Sequence, residues 1–222
     1  MNIIKRKYIF LTASAILIIA SIIVVAVFGL KQGIDFVGGT LWQVKFADPN
    51  VAVESLNKVL GEDWQLADFT VNASAVDGSF LIRLKEISET EHQQYLKILQ
   101  EKFKQVEELS FESIGSSVGL ELRRKAVWAF LLVLLGISLY VAFAFRKVSR
   151  PVSSWKYGVI TLLTLLHDAI IPSGLMAYLG WLSGAEIGVN FIVAILVVMG
   201  FSVHDTIVVF DRIRENLIKN IG

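Results

Sequence analysis

Four apolar runs, each long enough to cross a bilayer as a helix, punctuate this chain, and nothing else in it limits the possible folds so severely. Residues 8–30 carry no charge and would extend about 34 Å as an α-helix, enough for a hydrocarbon core of about 30 Å. Residues 126–145 are also uncharged. Residues 157–182 contain His167 and Asp168, and residues 189–210 contain His204 and Asp205. The chain is 55% hydrophobic and 18% charged, against roughly 25% charged in a typical soluble domain, and the apolar excess sits in these runs. The expected class is therefore an α-helical multi-span membrane protein. Lys5, Arg6 and Lys7 before the first run raise the question of a signal peptide. The apolar part is too long for one and no A-x-A cleavage pattern follows, so the run reads as a retained anchor.

Orientation follows from lysine and arginine. With the N-terminus in the cytoplasm, residues 1–7, 146–156 and 211–222 lie inside, and they hold ten of the 21 basic residues with only Asp211 and Glu215 as acids. The rest lie in 31–125, a segment long enough to be translocated regardless of charge. That puts 31–125 and the short loop 183–188 outside, and it puts spans at 8–30, 126–145, 157–182 and 189–210. Trp128, Trp155, Tyr157, Tyr178 and Trp181 fall near span ends, where an aromatic belt belongs. A net charge of +1 points to no nucleic acid and no acidic substrate, and the absence of cysteine removes disulfides and thiolate metal sites. No metal site and no cofactor are expected.

The outer segment reads as a small α+β domain. Residues 41–46 alternate as a strand. Asp48 followed by Pro49 looks like a cap and first helical position, opening a helix to about Leu60. Residues 69–73 and 79–84 read as strands around a turn at Asp77 and Gly78, residues 89–103 as a helix capped by Thr90 or Ser88, and residues 106–114 as a fourth strand. The order β-α-β-β-α-β suits a ferredoxin-like sheet with helices on one face. Residues 115–119 (GSSVG) read as a hinge-like linker, and Gly38 and Gly39 as a tight turn or a place of close backbone packing, with Asp35 as a turn residue near them.

The intramembrane ionisable groups are the functional candidates. A carboxylate at bilayer depth costs roughly 2.5–3.5 kcal/mol on insertion scales, so it is kept for a reason. Counting from Ser202, Asp205 and Thr206 stand three and four residues on, which gives the fourth run a polar stripe that should face protein or water. Such a carboxylate can take up and release a proton; the competing reading is a structural partner for Arg212 at the helix end. His204 adjoins Asp205 but points about 100° away. In the third run, Thr161, Thr164 and Asp168 share a face beside His167, and Pro172 deprives the Asp168 carbonyl of its helical donor. Proton handling and a polar packing contact are both open for that pair.

G-I-D-F-V-G-G-T at 33–40, S-S-V-G-L-E-L-R-R-K-A at 116–126, L-H-D at 166–168 and G-F-S-V-H-D-T-I-V-V-F-D-R-I-R-E-N at 200–216 together resemble the SecF family of bacterial protein-export subunits, across the whole chain in order. The resemblance implies membership of the resistance-nodulation-division type of proton-driven membrane proteins, in the bacterial plasma membrane. It implies SecD, the SecYEG channel, unfolded preprotein and protons as partners. It matches Asp205 to the family's proton-handling carboxylate and Asp168 to its third-span His-Asp pair, with Ser202, Thr206, His204 and His167 as supporting polar groups. Asp35, Gly38, Gly39, Asp211 and Arg212 are matched as family motif positions. His204 departs from the family, which commonly has Asn there. The family has six spans, so a chain with four is expected to lack the last two and the counterpart they bring to Asp205. The rival readings are an exporter of lipids or drugs from the same superfamily, an intramembrane aspartic protease using Asp168 and Asp205, and a non-transporting anchor for the outer domain.

Overall fold

The uncharged run near the N-terminus winds into α1 (Lys7–Phe28), which stops at Gly29 with φ +70°, a conformation that side chains with a Cβ rarely adopt. After it come α2 (Ile34–Val37), β1 (Gly39–Phe46), α3 (Val53–Lys58), β2 (Phe69–Ala73), β3 (Ser79–Leu84), α4 (Glu89–Phe103), β4 (Val106–Ile114), α5 (Ser116–Ala144), α6 (Ser154–Ser183) and α7 (Val189–Lys219). The structure is a computed structural model, and it describes residues 3–48, 51–64, 66, 68–74, 78–103, 105–148 and 153–219. The chain forms two units, Gly33–Arg123 and Met1–Gln32 with Arg124–Gly222.

In the first unit the strands pair antiparallel in the order β2-β3-β1-β4, the ferredoxin-like arrangement that the sequence predicts. Alternation puts Trp42, Val44 and Phe46 of β1 and Phe80, Ile82 and Leu84 of β3 on one face. They pack with Leu56, Val59 and Leu60 from α3 and the turn that continues it, and with Leu99 of α4. Ser88 caps α4: its hydroxyl accepts from the Glu91 N–H at 3.3 Å, and the Glu91 carboxylate accepts from the Ser88 N–H at 2.7 Å. This reciprocal pair satisfies two donors left over at the helix start.

Three local expectations change. The first helix opens at Val53 with Ala52 at its N-cap, not at Asp48; Pro49 lies outside the described residues. Residues 115–119 are not a linker: α5 is helical from Ser116 onward. Gly78 has the left-handed φ of a turn, +67°, while Asp77 lies outside the described residues.

In the second unit, among the described residues, four helices are long and apolar enough to cross a membrane: α1, α5, α6 and the stretch Val189–Asn216 of α7. Together they make the chain a multi-pass membrane protein. Small residues on α6 set its packing. A Cβ on Gly174 would collide with Ser21 of α1, and one on Gly158 would lie 2.8 Å from both the Ser138 carbonyl and the Ala142 Cβ of α5. Backbones therefore approach closely, as small residues allow in lipid, where helix association relies on packing. Leu134, Leu165, Ala169, Ile195 and Met199 join α5, α6 and α7 in one buried cluster. After α6, Gly184 adopts φ +76°, and the following loop returns Ile187 to donate to the Lys31 carbonyl at 2.8 Å.

Candidate functional site

α7 has two faces of different character. Ile195, Met199 and Phe210 are buried. Val197, Val198, Phe201, Val208 and Val209 are exposed, recurring at helical spacing to form an open apolar face. Asp205 and His204 sit in the middle of it, both exposed, while Ser202 and Thr206 are half-buried toward the packed side. The polar stripe thus splits between an outward carboxylate and imidazole and two inward hydroxyls. Among the described residues, the Asp205 carboxylate has no hydrogen-bond or ion-pair partner. Arg212 bonds Glu215 at 3.0 Å, and Arg214 pairs with Asp211, so the helix-end arginines are engaged within their own turn rather than with Asp205.

On α6, His167 Nδ1 is hydrogen-bonded to Asp168 Oδ1 at 2.8 Å, with the carboxylate side chain 22% exposed. The hydroxyls expected beside it are occupied elsewhere. Thr161 donates to the Tyr157 carbonyl and Thr164 to the Ile160 carbonyl, each at 2.9 Å. Pro172 lies inside α6 and has no N–H for the Asp168 carbonyl. Asp168 is thus paired with its neighbour, while Asp205 is exposed and without a partner among the described residues.

The glycine motif belongs to the sheet unit. Asp35 lies in the first turn of α2, half-buried. Gly38 has φ +78° and Gly39 φ +119°. A Cβ on Gly38 would lie 2.6 Å from the Ser116 Cα, and one on Gly39 would lie 2.9 Å from the Leu84 carbonyl oxygen. A Cβ on Gly119 would in turn lie 2.8 Å from the Gly38 nitrogen. The pair is thus a backbone crossing where α2 and β1 meet the first turn of α5, and both conformation and space demand glycine.

Sequence reasoning missed this pairing of Gly38 with Ser116 and Gly119; the small residues of GSSVG were its only signal. It also missed a polar knot between α4, β1 and β4, in which buried Trp42 and His92 meet the exposed Glu108. His92 Nε2 lies 2.6 Å from Glu108 Oε2, which also accepts from the Trp42 indole at 2.9 Å. The His92 ring stacks on Phe111, with centroids 3.7 Å apart. Nearby, hydrogen bonds from Gln93 and His92 hold the Glu89 carboxyl below its ordinary range.

The chain matches the family described as protein export membrane protein SecD/SecF, C-terminal, over residues 94–221, and the SecD/SecF GG motif over residues 23–49. It is 41% identical to protein translocase subunit SecF of Thermobaculum terrenum, covering 100% of this chain and 72% of the relative. It is 33% identical to protein translocase subunit SecF of Anaerolinea thermophila, covering 97% of this chain and 69% of the relative. Among solved structures it resembles SecDF, a translocon-associated membrane protein of Thermus thermophilus, with a TM-score of 0.78 and 33% identity, over 97% of this chain and 28% of that one. On these grounds the chain belongs to the SecD/SecF family of protein-export membrane proteins.

Proposed function

We propose that the chain serves protein export as a SecF-type subunit, using the proton-motive force to drive late preprotein translocation across the bacterial plasma membrane. Its partners in this reading are SecD, the SecYEG channel and unfolded preprotein. The N-terminus lies in the cytoplasm and the sheet unit outside, consistent with the distribution of lysine and arginine. A relative that carries SecD and SecF in one polypeptide supports SecD as the companion chain. The reading rests chiefly on Asp205: an unpartnered carboxylate in the middle of the open apolar face of α7, within the long motif at 200–216. A charge so placed is too costly to leave against lipid, so another helix covers it and offers it a partner.

Asp205 then works as the proton carrier. Protonation neutralises the carboxylate and weakens its hold on the covering helix; release restores it. One elementary charge crossing 100 mV supplies about 2.3 kcal/mol, enough to shift a two-state packing by more than tenfold. His204 is a titratable neighbour on the same open face, and the His167–Asp168 pair is a second proton-handling station on α6. Replacing Asp205 by Asn in the protein assembled with its SecD partner in cells should slow the release of a secreted reporter and let its precursor accumulate, while Asp205→Glu retains part of the activity. Unchanged export by Asp205→Asn would refute the assignment.

A further inference from the structure

The apolar run of α5 is bounded by cations at both ends, Arg123, Arg124 and Lys125 at one and Arg146 and Lys147 at the other. Charge bias between the two sides of a membrane accounts for one of these groups, whichever way the helix crosses, and leaves the other unexplained. Around residues 123–125 the helix has two distinct sides. Gly119 is buried, and Leu122, Ala126 and Phe130, three, seven and eleven residues on, are half-buried. Leu120, Arg123, Arg124, Val127, Trp128 and Leu131 are all exposed. At 3.6 residues per turn, Leu120, Val127 and Leu131 fall within about 40° of one another. Arg123 stands about 60° to one side of Leu120 and Arg124 about 40° to the other. Two guanidiniums therefore flank one apolar line on a single helix.

Among the described residues neither Arg123 nor Arg124 has a hydrogen-bond or ion-pair partner, whereas Glu121 and Lys125 are both engaged. A guanidinium offers a planar fork of donors that the oxygens of a phosphate or carboxylate satisfy in pairs. Trp128 stands one turn beyond Arg124, about 6 Å along the axis, at the level where an indole marks the boundary between head groups and hydrocarbon. From there Val127 and Leu131 lead into the apolar run. The molecule that matches this order of cations, interfacial ring and apolar line has an anionic phosphate joined to an acyl chain.

We propose that this face of α5 binds an anionic phospholipid of the bilayer, with the phosphate between Arg123 and Arg124 and an acyl chain along Val127 and Leu131. The apolar line takes one hydrocarbon chain as well as another, so the selectivity lies in the head group. Two cations give roughly a tenfold preference for an anionic over a zwitterionic one. The site depends neither on the direction in which α5 crosses nor on the role of Asp205.

The test uses the full chain in liposomes of phosphatidylcholine and phosphatidylglycerol, with brominated acyl chains on one lipid at a time. The Trp128 signal is the difference in fluorescence between the unaltered chain and Trp128→Phe. Brominated phosphatidylglycerol should quench that signal at about a tenfold lower mole fraction than brominated phosphatidylcholine. Arg123→Gln with Arg124→Gln should abolish the preference. Arg146→Gln with Lys147→Gln, which removes the same charge from the other end of the run, should leave it intact. Equal quenching by the two lipids would mean ordinary bilayer contact and overturn the proposal. A preference that survives Arg123→Gln with Arg124→Gln, or is lost with Arg146→Gln and Lys147→Gln, would place the head group elsewhere and overturn it too. Absence of quenching by either lipid would mean that protein covers this face, with the same consequence.

Discussion

The two units satisfy their polar side chains in opposite ways. In the sheet unit the bonds run across the fold: Thr40 to Ser113, Gln43 to Ser79, and Trp42 and His92 both to Glu108. In the helical unit the hydroxyls turn back on their own helix, Ser138 to Leu134, Thr161 to Tyr157, Thr164 to Ile160 and Ser173 to Ala169. The first pattern ties distant elements of the fold together. The second removes polar hydrogens from a hydrocarbon solvent but joins no two helices. The apolar windows of the four spans are only 6–22% buried within the chain. In the proposed reading lipid and other helices complete the helical unit, and Asp205 marks a surface where lipid will not serve.

This contrast predicts unequal responses to the same kind of substitution. Leu99→Ala empties a fully buried position in the sheet unit and should destabilise it by about 2–5 kcal/mol, read from the unfolding of the full chain in detergent through the buried Trp42 and Trp64. A loss under about 1 kcal/mol would mean that the core is looser than its burial implies. Gly38→Ala comes next. Its left-handed φ costs about 1–3 kcal/mol, and the Cβ presses on the Ser116 backbone as well, so the unfolding midpoint should fall clearly. If Gly38→Ala were neutral, the crossing of α2, β1 and α5 would not be as tight as described.

A smaller effect concerns acid. The Ser88 backbone N–H and hydroxyl hold the Glu91 carboxyl below its ordinary range. A carboxyl depressed in the folded state adds stability above its unfolded pKa and loses it as pH falls through the folded value. Lys85 depresses Asp68 in the same sense. Glu91→Gln should therefore lower the stability of the sheet unit at neutral pH and flatten its acid limb, the gap to the unaltered protein closing as pH falls; an unaltered acid limb would exclude the capping pair as its source. The smallest change is expected from Leu132→Ala on α5, where the side chain is 65% exposed, with a shift within about 0.5 kcal/mol in detergent. A loss comparable to that of Leu99→Ala would erase the distinction between the two units.

The elements that local chemistry determines were legible in the sequence. The uninterrupted apolar runs fall within helices long and apolar enough to cross a membrane, and alternation in β1 and β3 predicted the sheet and its buried face. What failed was punctuation. Asp48 and Pro49 looked like a helix start, yet Ala52 stands at the N-cap. GSSVG looked flexible, yet Gly119 is small because Gly38 and Phe36 press against it, and no single-chain pattern distinguishes a glycine that bends from one that packs. Helical offsets put Asp205 near Ser202 and Thr206, but offsets say nothing of which side another helix covers. The knot of Trp42, His92 and Glu108 joins three residues with no shared spacing, so it had no local signature.

The central claim, that Asp205 converts proton entry into work on a translocating chain, is tested most directly in proteoliposomes holding this protein with its SecD partner and the channel. Translocation of a stalled preprotein is timed with and without an imposed proton gradient, for the unaltered protein and for Asp205→Asn. The account predicts that the gradient speeds completion for the unaltered protein and does nothing for Asp205→Asn. Equal acceleration of both would contradict it.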